Sequence, residues 1–255
     1  MYAEERRKLL VQLARSQGRV SVNGASAHFG VTPETIRRDL EVLDRQGLLR
    51  RVHGGAVPAE FLPLGDLALV DRENSAAEQK ERIAAAALAY LPEQPFASVM
   101  LDAGTTTSRL AQLLPTEAHL TVFTHSLPIA ASLSVRSSAE VELLGGRVKG
   151  ITQACVGSDT LLRLERLRVD VAFVGTNGIT PGHGFSTPDP EEGAVKSRMV
   201  SNARTVVVMA DSRKFDVEAT HSFARLEDVD VVITDAVTEA QRQYCSNRGI
   251  EVVVA

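Results

Sequence analysis

Seven short apolar runs, at residues 98–101, 120–123, 141–144, 171–174, 206–209, 231–233 and 252–254, constrain this chain more than any other feature. Stretches of helical periodicity lie between most of them. Such alternation predicts βα units: a mainly parallel sheet with helices on both faces. Ligands on sheets of this kind bind beyond the carboxyl ends of the strands. The loops after the strands are therefore where chemistry is expected.

The chain ahead of the first run is organised differently. Residues 31–56 read V-T-P-E-T-I-R-R-D-L-E-V-L-D-R-Q-G-L-L-R-R-V-H-G-G-A. Thr32 can cap a helix with its hydroxyl, and Pro33 suits the first helical position, where its missing N–H would be unpaired anyway. Ile36, Leu40 and Leu43 recur at helical spacing and make one apolar stripe. Glu34, Arg38 and Arg45 point away from it, with Thr35 and Arg37 on its flanks. A helix of this kind can lie in a DNA major groove, its arginine forks reaching guanine edges or phosphates. Residues 22–29, with Ala25, Ala27 and Phe29, predict a preceding helix ended by Gly30, which makes a helix-turn-helix. Residues 1–16 supply a supporting helix through Leu9, Leu10 and Leu13. Residues 48–57 form two short apolar runs around Gly54-Gly55. Arg50, Arg51 and His53 stud this small β-wing, where cations meet phosphates.

Composition agrees with a basic head on an acidic body. Residues 1–57 carry ten Lys or Arg and six Asp or Glu, a net of +4 in a chain whose total is −4, so the remainder carries −8. Such asymmetry suits contact with nucleic acid. The length of 255 residues accommodates a small domain and a larger one. The boundaries fall as a winged helix-turn-helix at 1–57 (its helix-turn-helix at about 20–39), a linker at 58–75 and a larger α/β domain at 76–255. The two cysteines, Cys155 and Cys245, have no metal-like spacing and read as reduced core thiols. No signal peptide is evident, and no apolar run reaches the roughly 18 residues of a membrane span. A soluble cytoplasmic protein without a metal site or membrane contact is expected.

The loop after the first run reads Asp102-Ala103-Gly104-Thr105-Thr106-Thr107-Ser108. Backbone N–H groups at a helix start, hydroxyls and a permissive glycine can cradle a phosphate. The same residues also suit an ordinary threonine-capped turn. There is no Walker lysine, which argues against a nucleotide triphosphate. His125 follows the second run and Gly145-Gly146 the third. Asn177 and Gly178 follow the fourth, and a glycine-rich stretch then runs on to Thr187. Asp189 and Glu192 open a helix that carries Lys196, and Lys214 follows the fifth run. Carboxylates suit sugar hydroxyls, and Lys214 is a point charge suited to a phosphate. The alternative reading of His125 and of Lys214 is an ordinary solvated side chain.

T-I-R-R-D-L followed by G-L-L-R-R-V-H-G-G-A closely resembles the DeoR family of bacterial transcription regulators. L-D-A-G-T-T-T, G-T-N-G-I, G-F-S-T-P-D-P-E-E and A-D-S-R-K-F extend the resemblance to the family's effector domain. Asn23-Gly24-Ala25 stands where family members usually have Glu-Leu-Ala. Glycine in a helix costs about 1 kcal/mol relative to alanine, which predicts a second helix that begins late or is weak. The resemblance implies a sensor similar in fold to ribose-5-phosphate isomerase and glucosamine-6-phosphate deaminase. It also implies a repressor of sugar-use genes released from operator DNA by a phosphorylated sugar, with no other cofactor. Asp102, Gly104, Thr105, Thr106 and Thr107 would then hold phosphate or sugar, Asn177 and Gly178 would line the pocket, and Asp189, Glu192 and Lys196 would face the sugar. Lys214 would meet the phosphate. The Met-Tyr-Ala-Glu-Glu-Arg opening looks most like members acting on fructose or phosphotransferase-system sugars, which points to fructose 1-phosphate. Two-fold DNA sites match two-fold proteins, so a homodimer or homotetramer is expected. Asp102, Asp189, Glu192 and Lys196 are also residue types that an isomerase or deaminase needs. Since fold does not transfer function, the enzyme reading stands as the rival. A non-DNA interaction module is a third.

Overall fold

Ile36, Leu40 and Leu43 are all buried, and a small domain is built around them. The computed structural model of the protein describes residues 3–17, 19–45, 48–52, 54–58, 75–117, 119–136 and 138–255. The chain divides into two units, residues 1–67 and 68–255. The first contains α1 (Ala3–Gln17), β1 (Val20–Ser21), α2 (Val22–Phe29), α3 (Pro33–Arg45), β2 (Leu49–Val52) and β3 (Gly55–Pro58). The strands form a sheet in the order β1-β3-β2, antiparallel throughout. Gly55 sits where it must: a Cβ there would fall 2.0 Å from the Val20 carbonyl oxygen.

Three expectations for this unit need correction. Leu10 is buried as expected, but Leu9 is exposed, with Val11 and Ala14 buried in its place and Leu13 only partly covered. The stripe is turned because Arg6, one turn before Leu10, is drawn inward by an acid on α3. Ala27 is likewise exposed, and α2 packs through Val22, Ala25 and Phe29. Nor does α2 begin late. Ser21 caps it by accepting from the Gly24 amide at 3.0 Å. A Cβ on Gly24 would come within 2.7 Å of the Ser21 Oγ, so glycine leaves room for this cap.

In the second unit, α4 (Ala77–Ala87) leads through a 3-10 turn to β4 (Ser98–Leu101), α5 (Thr105–Leu113), β5 (Thr121–Thr124), α6 (Leu127–Arg136) and β6 (Glu140–Leu143). A hairpin of β7 (Arg147–Val148) and β8 (Cys155–Val156) precedes α7 (Ser158–Glu165) and β9 (Val169–Gly175). Then come β10 (Gly178–Thr180), β11 (Gly184–Thr187), α8 (Pro190–Ser201), β12 (Ala203–Met209), β13 (His221–Ala224), β14 (Val231–Thr234), α9 (Glu239–Ser246) and β15 (Glu251–Val254). All seven predicted runs are strands of one sheet, ordered β15-β14-β12-β9-β4-β5-β6, with every pairing parallel. Successive strand residues enter opposite cores. Val99, Leu101, Val171, Phe173 and Val207 meet Ile83, Leu110 and Ile129 of α4, α5 and α6. Met100, Ala172, Val174 and Val208 meet Leu164, Val195 and Cys245 of α7, α8 and α9. The glycine-rich stretch after β9, expected as loop, instead contributes β10 and β11 to a small antiparallel sheet with β13.

Candidate functional site

In the first unit the Thr32 hydroxyl accepts from the Thr35 amide at 3.3 Å, which secures the start of α3. Glu34 in that first turn draws two cations: Arg37 Nη1 lies 3.3 Å from its carboxylate and Arg38 Nε 3.7 Å. The Arg38 side chain is 78% exposed. Exposed pairs of this kind are worth little in water, so both guanidinium groups can exchange Glu34 for a phosphate or a base edge. On the opposite side, buried Asp39 accepts from Arg6 Nε at 2.6 Å and from Arg7 Nε at 3.0 Å. This ion pair, which periodicity alone did not reveal, ties α1 to the inner face of α3. Arg50 and Arg51 belong to β2. Their side chains, that of Arg45 and the whole of His53 lie outside the described residues, as do residues 59–74 of the predicted linker.

In the second unit the strand order reverses between β4 and β9. From β4 the chain proceeds through β5 and β6 on one side and through β9, β12, β14 and β15 on the other. Open α/β sheets bind ligands in the crevice at such a switch point. Asp102 follows β4 there and has no solvent exposure. Its carboxylate accepts from the Gly175 amide, at the end of β9, at 2.8 Å, and from Lys196 Nζ on α8. Lys196 also donates to the Gly175 carbonyl oxygen at 2.9 Å. His125, after β5, places Nε2 3.0 Å from Asp102 Oδ1 and 3.0 Å from the Ala103 amide, with Nδ1 3.0 Å from the Cys155 carbonyl oxygen. A carbonyl only accepts, so Nδ1 carries a proton. Nε2 then accepts from Ala103 in the neutral ring or donates to Asp102 in the charged one. Burial would push the Asp102 carboxyl up, but Lys196 and His125 outweigh it and hold it well below the usual carboxylate range.

A second charged group stands at the start of α8. Asp189 caps this helix, accepting from the Glu191 and Glu192 amides at 3.0 and 2.9 Å, with Pro190 in the first position. Lys149, in the turn between β7 and β8, bonds Asp189 and lies 3.3 Å from Glu192 Oε1. Thr152 donates to the same Glu192 oxygen at 2.8 Å. Burial opposes the charge on Lys149, yet Asp189 and Glu192 hold its ammonium above the ordinary lysine range. Sequence reading passed over Lys149 and Thr152, because a hairpin of two-residue strands carries no periodic signal.

The remaining residues singled out from sequence fall in different places. Gly104 precedes α5 with no side chain capping the helix start, and Thr105, Thr106 and Thr107 are buried in its first turn. The Thr107 hydroxyl is committed to the turn, 2.7 Å from the Asp102 carbonyl oxygen. Gly145 and Gly146 meet α7: Thr160 donates to the Gly145 carbonyl at 2.7 Å, and a Cβ on Gly146 would collide with the Thr160 hydroxyl at 2.2 Å. The Asn177 amide donates to the Ser186 carbonyl at 2.9 Å. Gly178 allows a close approach, since a Cβ there would lie 2.2 Å from the Val217 carbonyl oxygen. Lys214 stands beside Asp211 in the 3-10 turn after β12. No group of three His, Cys, Asp or Glu among the described residues could hold a metal ion, and no described helix is long and apolar enough to cross a membrane.

Comparison with known proteins agrees with both units. Residues 6–60 match the DeoR-like helix-turn-helix domain, and residues 75–236 match the DeoR C terminal sensor domain. The HTH-type transcriptional regulator GlpR of Haloferax volcanii is 36% identical over 98% of this chain and 97% of its own length. The glycerol-3-phosphate regulon repressor of Escherichia coli is 32% identical over 92% of each. A solved ribose 5-phosphate isomerase A from Neisseria gonorrhoeae shares 16% identity, with a TM-score of 0.38 over 55% of this chain and 53% of that one. With both of its domains matched and relatives aligned from end to end, the chain belongs to the DeoR family.

Proposed function

We propose that the protein represses genes of sugar uptake and catabolism and that a phosphorylated sugar, bound at the switch point between β4 and β9, releases it from DNA. The observation that carries this reading is the pairing of two features in one chain. One is a recognition helix whose exposed Arg37 and Arg38 pair with Glu34 in its first turn. The other is a buried cluster of Asp102, His125 and Lys196 at the crevice where such sheets take ligands. In this reading the bare start of α5, with Thr105 and Thr106, receives the phosphate, and Asp189, Glu192 and Lys196 face the sugar. Fructose 1-phosphate is the first compound to test. The protein acts in the cytoplasm as a homodimer or homotetramer, which matches two-fold operators.

The chain is not an enzyme in this reading. A general base works best with a pKa near the operating pH. Asp102, a fully enclosed carboxylate, is engaged by the Lys196 ammonium, the His125 ring and the Gly175 amide and held far below that range. A gel shift on an operator selected from random DNA, with and without fructose 1-phosphate, tests the reading beside a coupled isomerase and deaminase assay. Sequence-specific binding weakened by the sugar phosphate, with no turnover, is the expected result. Turnover without DNA binding would reverse it.

A further inference from the structure

Thr187 ends β11, two residues before Asp189 caps α8. It has no solvent exposure, and its Oγ1 has no hydrogen-bond partner among the described residues. An unpaired interior hydroxyl is destabilising, and valine would fill the same space without it. Its neighbours locate it closely. The preceding carbonyl, that of Ser186, accepts from the Asn177 amide at 2.9 Å and the Thr176 hydroxyl at 3.1 Å, in the loop that follows Gly175. On the other side the Thr187 methyl packs on Gly193, where a Cβ would stand 3.3 Å away. Thr187 is thus wedged between the Gly175 loop and the turn of α8 that carries Glu192. Those are the elements that Lys196 joins through its 2.9 Å bond to the Gly175 carbonyl.

We propose that the Thr187 hydroxyl is an effector contact that pairs with a hydroxyl at the polyol end of the ligand; this rests on the effector reading of the same site. A hydroxyl both donates and accepts, which matches a sugar hydroxyl of either polarity. The adjoining carboxylates of Asp189 and Glu192 are already paired with the Lys149 ammonium and accept from hydroxyls, as Glu192 does from Thr152, whereas the start of α5 has no side-chain cap and offers its amides to a phosphate. The ligand therefore lies with its phosphate toward the first turn of α5 and its polyol toward α8. Thr187 then selects for a hydroxyl at one carbon.

The test compares the full chain with Thr187→Val and Thr187→Ser. Unfolding temperatures are recorded first without ligand, followed by binding of fructose 1-phosphate, glycerol 3-phosphate and inorganic phosphate. Thr187→Val should melt at or above the wild type and lose roughly tenfold in affinity for the sugar phosphate that the wild type binds. Thr187→Ser should stay close to wild type. Inorganic phosphate, which has no polyol, should treat all three chains alike. A Thr187→Val chain that binds the sugar phosphate normally overturns the proposal and leaves the effector reading intact. One that melts lower without ligand assigns the hydroxyl to the fold and overturns it too. Loss of inorganic phosphate binding in Thr187→Val would reverse the orientation. A wild type that responds to none of the three compounds overturns the effector reading, and the proposal with it.

Discussion

Lys196 reaches across 94 residues of sequence to donate to the Asp102 carboxylate. Because it also bonds the Gly175 carbonyl, one buried cation joins the ends of β4 and β9. Removing one member of a buried pair leaves the other charge uncompensated. Lys196→Met should therefore lower stability by about 3–5 kcal/mol in urea unfolding. Asp102→Asn combined with Lys196→Met should recover part of the loss, because no lone charge remains. A single variant as stable as the wild type would mean that the pair is not formed in solution.

The same carboxylate makes stability depend on pH. Folding lowers the Asp102 pKa, through Lys196 and His125 and against the effect of burial. In acid the unfolded chain thus binds a proton that the native state refuses. The contribution is complete above the unfolded carboxylate range, about pH 4. It is lost as pH falls toward the folded value. Unfolding free energies measured from about pH 5 downward should fall less steeply for Asp102→Asn than for the wild type.

Arg38→Ala should weaken operator binding while the fold is kept. If Arg38 reads a guanine edge, the loss is about 1–3 kcal/mol and confined to particular base positions. If it meets phosphate, binding weakens evenly across sequences and the salt slope drops by roughly one. Titrations of the selected operator and its single-base variants at several salt concentrations separate these outcomes. Wild-type affinity would sink the recognition-helix assignment.

Asp39→Asn should act through the packing of α3 rather than through DNA contact. Asp39 is buried and is shared by Arg6 and Arg7, so its removal strands a buried guanidinium. Hydrogen exchange should quicken at the amides of α1 and α3, with β4 and β9 unchanged. Unaltered exchange in α1 would show that the pair contributes nothing to the domain.

Gly178→Ala should destabilise the second unit by about 1–3 kcal/mol. The new methyl would meet a backbone oxygen, the Val217 carbonyl at 2.2 Å, which cannot turn aside as a side chain could. The melting temperature measures this directly, and an unchanged value would mean that the Val217 segment moves freely.

The seven strands of the large sheet were legible because their valine-rich runs are covered on both faces. The small sheet was not, since Gly178 and Gly184 read as loop residues; both sit in strands, at positions where a Cβ would collide with a neighbouring carbonyl. In the first unit the stripe of Ile36, Leu40 and Leu43 was plain. The turning of α1 away from Leu9 was hidden, because it depends on an Arg6–Asp39 pair 33 residues apart. The residue types Asp102, His125 and Lys196 stood out in their loops. Their mutual contacts come from strand order, which no local pattern encodes, and Lys149 reaches Asp189 and Glu192 only because β7 and β8 fold back on each other.

The large sheet is two consecutive sections of chain stitched together at one place, where Val99, Met100 and Leu101 run beside Val171, Ala172 and Phe173. The charged cluster caps the end of that stitch. A molecule lodged there would act as a rivet, with one shank in each section. Pulling the sections apart, as in a force-extension measurement, would then require shearing the occupant out, whereas the bare seam would part under the load that its strands and the Lys196 bridge can bear.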